Sequence, residues 1–208
     1  MEEGSLFHVF TKSIAGYKVF KSKVDYRRMV ETIWYYMDER TAKFSRVIDL
    51  KKENKGEPVV RIICYCIMPT HLHLVLEEKK EKGISQFMSN ILNSYARYFN
   101  LKYKRKGHLW ESSYKRVLVE TDEQLLHLTR YIHLNPTTAG IVKKPENWEF
   151  SSYREYLGNE KIFLKICYFD DIIEINPKSY REFVEDYIDY EKELHRIKGL
   201  VKFESENP

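Results

Sequence analysis

His71-Leu72-His73 sits in a run, His71 to Glu77 (HLHLVLE), whose alternation predicts a β-strand. Alternate side chains of a strand share a face, so the two imidazoles can converge on one cation while Leu72 turns to the core. Neutral imidazole is a common metal ligand and accepts a hard divalent ion when oxygens complete the shell. The competing reading is two polar residues on the wet face of a half-buried strand. Cys64 and Cys66 on the preceding run also carry ligand-capable side chains, although C-x-C is an unusual spacing for structural zinc. A zinc deaminase is disfavoured, because its H-x-E and P-C-x-x-C elements are both missing.

A second chemical candidate lies in Tyr131-Ile132-His133-Leu134-Asn135-Pro136. Residues four apart share a helix face about 6 Å apart along the axis. Tyr131 can therefore offer a phenol beside the Asn135 amide oxygen, a potential third metal ligand. Tyrosine is a poor nucleophile near neutrality, with an ordinary pKa of about 10. A neighbouring cation would polarise a phosphate and stabilise phenolate. The plain alternative is an amphipathic ring packed in the core, and among 16 tyrosines position alone does not single out this one.

The elements that must position these groups follow from periodicity. Leu6 to Thr11 reads as a strand, and Met29, Ile33, Trp34 and Met37 recur at helical spacing between Asp25 and Arg40. Residues 51–58 are polar and turn-rich, hence a loop. Val59 to Met68 is a second β-type run, joined to His71–Glu77 by Pro69-Thr70 as an antiparallel pair. Ile84 to Tyr103 is a helix with Phe87, Ile91, Leu92, Tyr95, Tyr98 and Phe99 on one face, and Tyr114 to Glu120 is a strand. Thr121 and Gln124 match a capping box opening a helix. That helix should end near Asn135, since proline disfavours α geometry in the residue before it. The order is strand, helix, strand, strand, helix, strand, helix: an α+β architecture, a sheet with helices on one face. A further helix is expected over Lys178 to Ile197.

Between Arg97 and Arg116 stand seven basic residues, Arg97, Lys102, Lys104, Arg105, Lys106, Lys115 and Arg116, with Glu111 as the sole acid. Tyr98, Tyr103, Trp110 and Tyr114 are interleaved. Cations neutralise phosphates and exposed aromatic faces stack unpaired bases, so the composition suits single-stranded or hairpin DNA. The alternative is a solvated helix end with its aromatics buried; His108 and Trp110 can equally fix the loop. Tyr95 and Phe99 are expected in the core, Lys102 to Lys106 outside.

Charge is unevenly distributed. Residues 1–145 hold 26 Lys and Arg against 16 Asp and Glu, whereas 146–208 hold 9 against 15. A positive front on an acidic back suggests a polyanionic partner for the front. Three cysteines argue for a reducing compartment. No run approaches the roughly 18 apolar residues that cross a bilayer. The acidic first residues do not read as a secretion signal, and a cytoplasmic protein is expected.

Taken in order, Met68-Pro69-Thr70 before His71-Leu72-His73, then Gly107-His108-Leu109-Trp110, then Tyr131 to Pro136, then Trp148-Glu149-Phe150-Ser151-Ser152-Tyr153, resemble the single-tyrosine HUH transposases. The likeness is greatest to the REP-associated tyrosine transposases, related to the insertion-sequence-200-like enzymes. It covers about Leu6 to Tyr153, which implies a catalytic domain over 1–153 and an acidic, tyrosine-rich, mainly helical extension over 154–208. The resemblance implies a ferredoxin-like core, His71 and His73 as metal ligands with Asn135 as the third, Mg2+ or Mn2+ as the ion, and Tyr131 as covalent nucleophile. It also implies nucleoid-associated action on single-stranded or hairpin DNA, through a 5′-phosphotyrosine intermediate. Arg97, Lys102, Lys104, Arg105, Lys106, Trp110, Lys115 and Arg116 would face the DNA. Relatives include homodimers, in which the tyrosine helix can serve the partner's metal site, and monomers. Two other readings stay open: a domesticated hairpin-binding protein that does not cut, and a metal-dependent phosphodiesterase that uses water.

Overall fold

In the computed structural model, which describes residues 4–40, 44 and 56–193, alternation at the start of the chain forms β1 (Leu6–Lys12). Phe7 and Val9 are buried on one face, and His8 and Phe10 lie on the other. Helix α1 (Lys23–Tyr36) opens at Ser22, whose backbone N–H donates to Asp25 Oδ2 at 2.9 Å, and buries Met29, Val30 and Ile33. It begins two residues before the expected start and stops short of Arg40. The hairpin pairs β2 (Val60–Met68) with β3 (His71–Glu78) across Pro69-Thr70, as expected. Helix α2 (Gly83–Lys102) and strand β4 (Lys115–Val119) complete the core. Gly83 is required where α2 starts, because a Cβ there would meet the Val59 carbonyl oxygen at 2.4 Å. Of the expected loop, residues 51–55 lie outside the described residues.

All three strand pairings are antiparallel and the order is β2-β3-β1-β4, a ferredoxin-like α+β sheet. Helices α1 and α2 share one face, against Phe7, Val9, Leu72, Leu74 and Leu76. Helix α3 (Asp122–Thr138) departs from the one-face arrangement: Leu125, Ile132 and Leu134 pack against Cys64, Cys66, Met68 and Val75 on the opposite face. At its start the Gln124 N–H donates to Thr121 Oγ1 at 3.1 Å, while the Gln124 side chain accepts from the Glu120 N–H.

The far end of α3 corrects the sequence expectation. The helix runs through Pro136 to Thr138, and the stop signal is Gly140 at φ 68°. The Ile141 N–H donates to the Pro136 carbonyl and the Gly140 N–H to that of Thr137, a Schellman closure. Pro136 deletes a single helical donor within the last turn, which this closure tolerates. Beyond α4 (Tyr153–Tyr156), α5 (Pro177–Glu185) is shorter than the predicted helix. A turn at 186–187 interrupts it before helical structure resumes to 193, and 194–197 lie outside the described residues.

The α1–α2 layer is fastened by one buried carboxylate. Asp25, 0% exposed, accepts from Lys102 Nζ at 2.6 Å, Tyr103 OH at 2.7 Å, Tyr98 OH at 2.9 Å and the N-terminal turn of α1. Burial pushes its pKa up, but the donors from Lys102, Tyr103, Tyr98 and Ser22 outweigh it and bring it down to about 2. The hub's contribution is therefore present above the unfolded value of about 3.9 and is lost as pH falls through about 2. Asp25→Ala is expected to cost about 2 kcal/mol, because it removes the shared acceptor of the Tyr98, Tyr103 and Ser22 hydroxyls, while the exposed Lys102 ammonium returns to water. Urea unfolding at neutral pH checks this, and a midpoint equal to wild type would contradict the hub.

Candidate active site

Strand β3 presents His71 and His73 on the face opposite α1 and α2. Their ring centroids are 5.1 Å apart and nearly perpendicular, at 88°. In the ladder, Lys12 of β1 lies opposite His71 and Phe10 opposite His73. The His8 ring stacks on His73 at 5.3 Å, with His8 Nε2 3.1 Å from His73 Nδ1. Thr70 Oγ1 lies 3.0 Å from His71 Nδ1. Each Nδ1 lies against a neighbour, and the tautomer with its proton on Nδ1 turns a bare Nε2 outward as a metal-ligating nitrogen.

Burial first, and then the Lys12 charge, lowers the His71 pKa to about 4. Burial, followed by the charges of His71, His8 and Lys12, lowers that of His73 to about 2. His8 is lowered by burial to about 4. The cluster is therefore neutral at physiological pH, the form that binds a metal.

Helix α3 carries Tyr131 over this face. Its ring centroid lies 5.8 Å from that of His73, edge-on at 83°, and the residue is 42% exposed. The apolar residues around it seal α3 onto β2, so Tyr131 stands at the rim of that contact and not inside it. Asn135 Nδ2 donates to the Tyr131 carbonyl at 2.8 Å, so the side-chain oxygen is the end left to accept or ligate. Among the described residues no three His, Cys, Asp or Glu side chains form a metal cage, and the Cys64–Cys66 zinc arrangement is not built. Cys64 is instead fully buried, 3.4 Å from His133 Nε2.

The basic stretch is not one surface. Lys102 is tied to Asp25, and Arg105 donates to the His108 carbonyl at 2.7 Å and to that of Gly107 at 3.3 Å, so it ties down its own loop. Trp110 donates through Nε1 to the Leu92 carbonyl at 3.2 Å and packs beside Phe20 and Tyr95. Arg97, Lys104 and Lys106 are exposed. Lys115 and Arg116 are split by strand alternation. Lys115 pairs with Phe10 on the histidine face, whereas Arg116 lies over Phe7 and lines a groove of about 980 Å³ with Ser85, Ser89, Asn93, Trp110 and Tyr114.

Two site residues escaped the sequence reading, His8 and Lys12. The signal was present, since His8-x-Phe10-x-Lys12 has the same alternation as His71-x-His73, but their meeting depends on the β1–β3 register.

Comparison with known proteins agrees with this architecture. A Haemophilus influenzae protein described as a REP-associated tyrosine transposase is 26% identical over 102 residues. The match takes in 44% of this chain and 57% of that relative's length. The solved structure of a REP-associated tyrosine transposase bound to a REP hairpin superposes with a TM-score of 0.53 at 16% identity, covering 85% of this chain and 92% of that one, a likeness of fold. No helix among the described residues is long and apolar enough to cross a membrane. The family model for IS200-like transposases matches residues 14–135, more than half of the chain and inclusive of both histidines, Tyr131 and Asn135, and the chain belongs to that family.

Proposed function

We propose that this chain is a DNA-strand transferase that cuts and rejoins single-stranded or hairpin DNA with Tyr131 as nucleophile. The observation that carries the reading is the approach of the Tyr131 ring to the His73 ring, 5.8 Å between centroids within one chain. Tyr131 Oη attacks phosphorus, and the bond from phosphorus to the 3′ oxygen breaks. The phenol proton passes to solvent, and the departing oxygen takes one up as a 3′-hydroxyl. The DNA is left joined through its 5′ phosphate to Tyr131. Attack by another 3′-hydroxyl reverses these steps onto a new strand without ATP, because the phosphotyrosine bond keeps the energy of the original phosphodiester.

Neutral His71 and His73, with Nε2 free on each, fit a divalent ion such as Mg2+ or Mn2+, and Asn135 is the candidate third ligand. When bound, that ion would polarise the scissile phosphate and offset its developing charge. Lys12 and Lys115 flank the histidines on the same face and would hold flanking phosphates. Arg97, Lys104, Lys106 and Arg116 would serve DNA farther out. Arg105 and Trp110 act through the loop they brace, and Lys102 through its hold on Asp25. The similarity to a hairpin-bound transposase supports a folded-back single strand as the substrate.

Tyr131→Phe is expected to abolish covalent protein–DNA adducts on a labelled hairpin oligonucleotide with Mg2+, while binding changes less than about twofold. Cleavage that survives in this variant without an adduct would transfer the reaction to water. A wild-type protein that shifts the hairpin and leaves it whole would make the chain a binder.

The depressed histidine values yield a second test. The neutral, binding form of both rings persists far below pH 7, so Mn2+ affinity should be flat from about pH 8 to about pH 6 and fall only as pH nears about 4. Calorimetric titration reads this directly; a tenfold loss by about pH 6 would mean ordinary, exposed imidazoles.

A further inference from the structure

His133 lies two residues beyond Tyr131 and takes no part in the site just described. It is 0% exposed, and burial holds its pKa down at about 3, so the ring is neutral. Around it runs a buried polar chain that joins α3, β2, the Ser151–Ser152 segment and α5. Thr129 Oγ1 donates to the Leu126 carbonyl at 2.8 Å, and Tyr180 OH donates to Thr129 Oγ1 at 2.9 Å. His133 Nδ1 is 2.8 Å from that same Tyr180 oxygen, and His133 Nε2 is 2.8 Å from Ser152 Oγ. The Tyr65 N–H donates to Ser152 Oγ at 2.9 Å.

The protons in this chain can be ordered from its ends. A carbonyl only accepts, so Thr129 spends its proton on Leu126 and must accept from Tyr180. Tyr180, having donated, accepts from His133 Nδ1–H. A neutral imidazole then has a bare Nε2, which accepts from Ser152. The Ser152 hydroxyl can also turn back to the Tyr65 carbonyl at 3.2 Å; when it faces His133, the donors run from the β2 backbone through His133 and Tyr180 and return to α3 at Leu126.

Helix α5 adds contacts from the same side. Tyr180, Phe183 and Val184 stand at 3- and 4-residue spacing, so they share a face, and Tyr187 follows in the turn beyond the helix. Tyr180 and Val184 are buried, and the Arg130 guanidinium lies 4.3 Å from the Phe183 ring centroid and 3.4 Å from that of Tyr187. Asn176 caps the helix by accepting from the Lys178 and Ser179 N–H groups.

The consequence is angular. Thr129 and His133 lie on one helix face and both bind Tyr180, whereas Tyr131 is about 200° round the axis from Thr129. A roll of α3 that frees the Tyr180 hydroxyl therefore carries Tyr131 away from His73.

We propose that α5 is a clamp on the tyrosine helix, with His133 and Tyr180 the positioning pair that keeps Tyr131 over the histidines of its own chain. This assigns a task to residues beyond the region that the family model matches, and its kinetic consequence rests on the reading of Tyr131 as nucleophile. Tyr180→Phe deletes the hydroxyl alone, leaving His133 Nδ1–H without an acceptor while the ring packing stays.

The test places 3-fluorotyrosine at position 131 of the full-length chain and follows its fluorine resonance, with and without His73→Ala. In the otherwise wild-type protein the resonance is single and shifts when His73 is removed. In Tyr180→Phe it moves toward the free fluorotyrosine value and no longer responds to His73→Ala. With unlabelled protein and the hairpin oligonucleotide, adduct formation per folded molecule falls about tenfold or more while DNA affinity stays within about twofold, and cooling does not restore the rate. A merely structural role would lower the melting temperature and leave the resonance of the folded molecules unmoved. Should Tyr180→Phe fail to fold, Tyr187→Leu removes the ring beneath Arg130 at the rim of the same contact and is read in the same way. An unaltered resonance, still responsive to His73→Ala, in a folded variant overturns the clamp. Failure of the wild-type protein to form adducts overturns the nucleophile assignment instead, and the fluorine measurement still decides the clamp.

Discussion

The antiparallel register of β1 on β3 is the constraint on which the site depends. It sets Lys12 opposite His71 and brings His8 against His73 Nδ1, so the second strand orients the imidazoles that the first presents. A slip of one residue would turn His71 and His73 into the α1–α2 layer and expose Leu72 and Leu74. That register is enforced by burial: Phe7 and Val9 on β1 and Leu72, Leu74 and Leu76 on β3 all enter one apolar cluster. The hydrophobic layer thus fixes the polar one. The site is a by-product of where the core residues must go.

The two faces of the sheet treat charge differently. Behind it, Asp25 gathers Lys102 and the hydroxyls of Tyr98 and Tyr103, and the ionised carboxylate is kept by its donors. On the other face, three imidazoles lack such compensation, and burial keeps them uncharged. A positive residue is therefore structural where it meets Asp25 and available where it borders the histidines, as Lys12 and Lys115 do. Sequence proximity to other lysines does not distinguish the two.

Helix α3 lies on the histidine face and presents three sides there. Its apolar side is sealed onto β2, its Tyr131 side faces His73, and a third side meets α5 through Thr129, Arg130 and His133. The acidic, tyrosine-rich end of the chain packs into the same cluster as α3 and β2 through Tyr153, Tyr156, Tyr180 and Val184. This contact accounts for Tyr153, Tyr156 and Tyr180, whereas Phe163, Tyr168 and Tyr190 stay exposed.

Local rules were enough for the elements, whereas Tyr131 was singled out among 16 tyrosines by the ordered family motifs and not by its spacing. Two-residue alternation in His71–Glu77 and helical spacing in Ile84–Tyr103 gave β3 and α2 to within a residue, and the histidine pair, the phenol and its Asn135 neighbour were all visible as spacings within single elements. Pro136 misled because a proline near a helix end weakens one bond, whereas Gly140 and its Schellman closure decide where the chain turns. Long-range pairing decided the rest. His8 and Lys12 join the site through a register some sixty residues distant in the chain, Lys115 and Arg116 part company because neighbours on a strand face opposite ways, and His133 finds Tyr180 only once α5 has docked. Such contacts are set by what buries against what, and a one-dimensional pattern fixes which face a residue takes but not which other face it will meet.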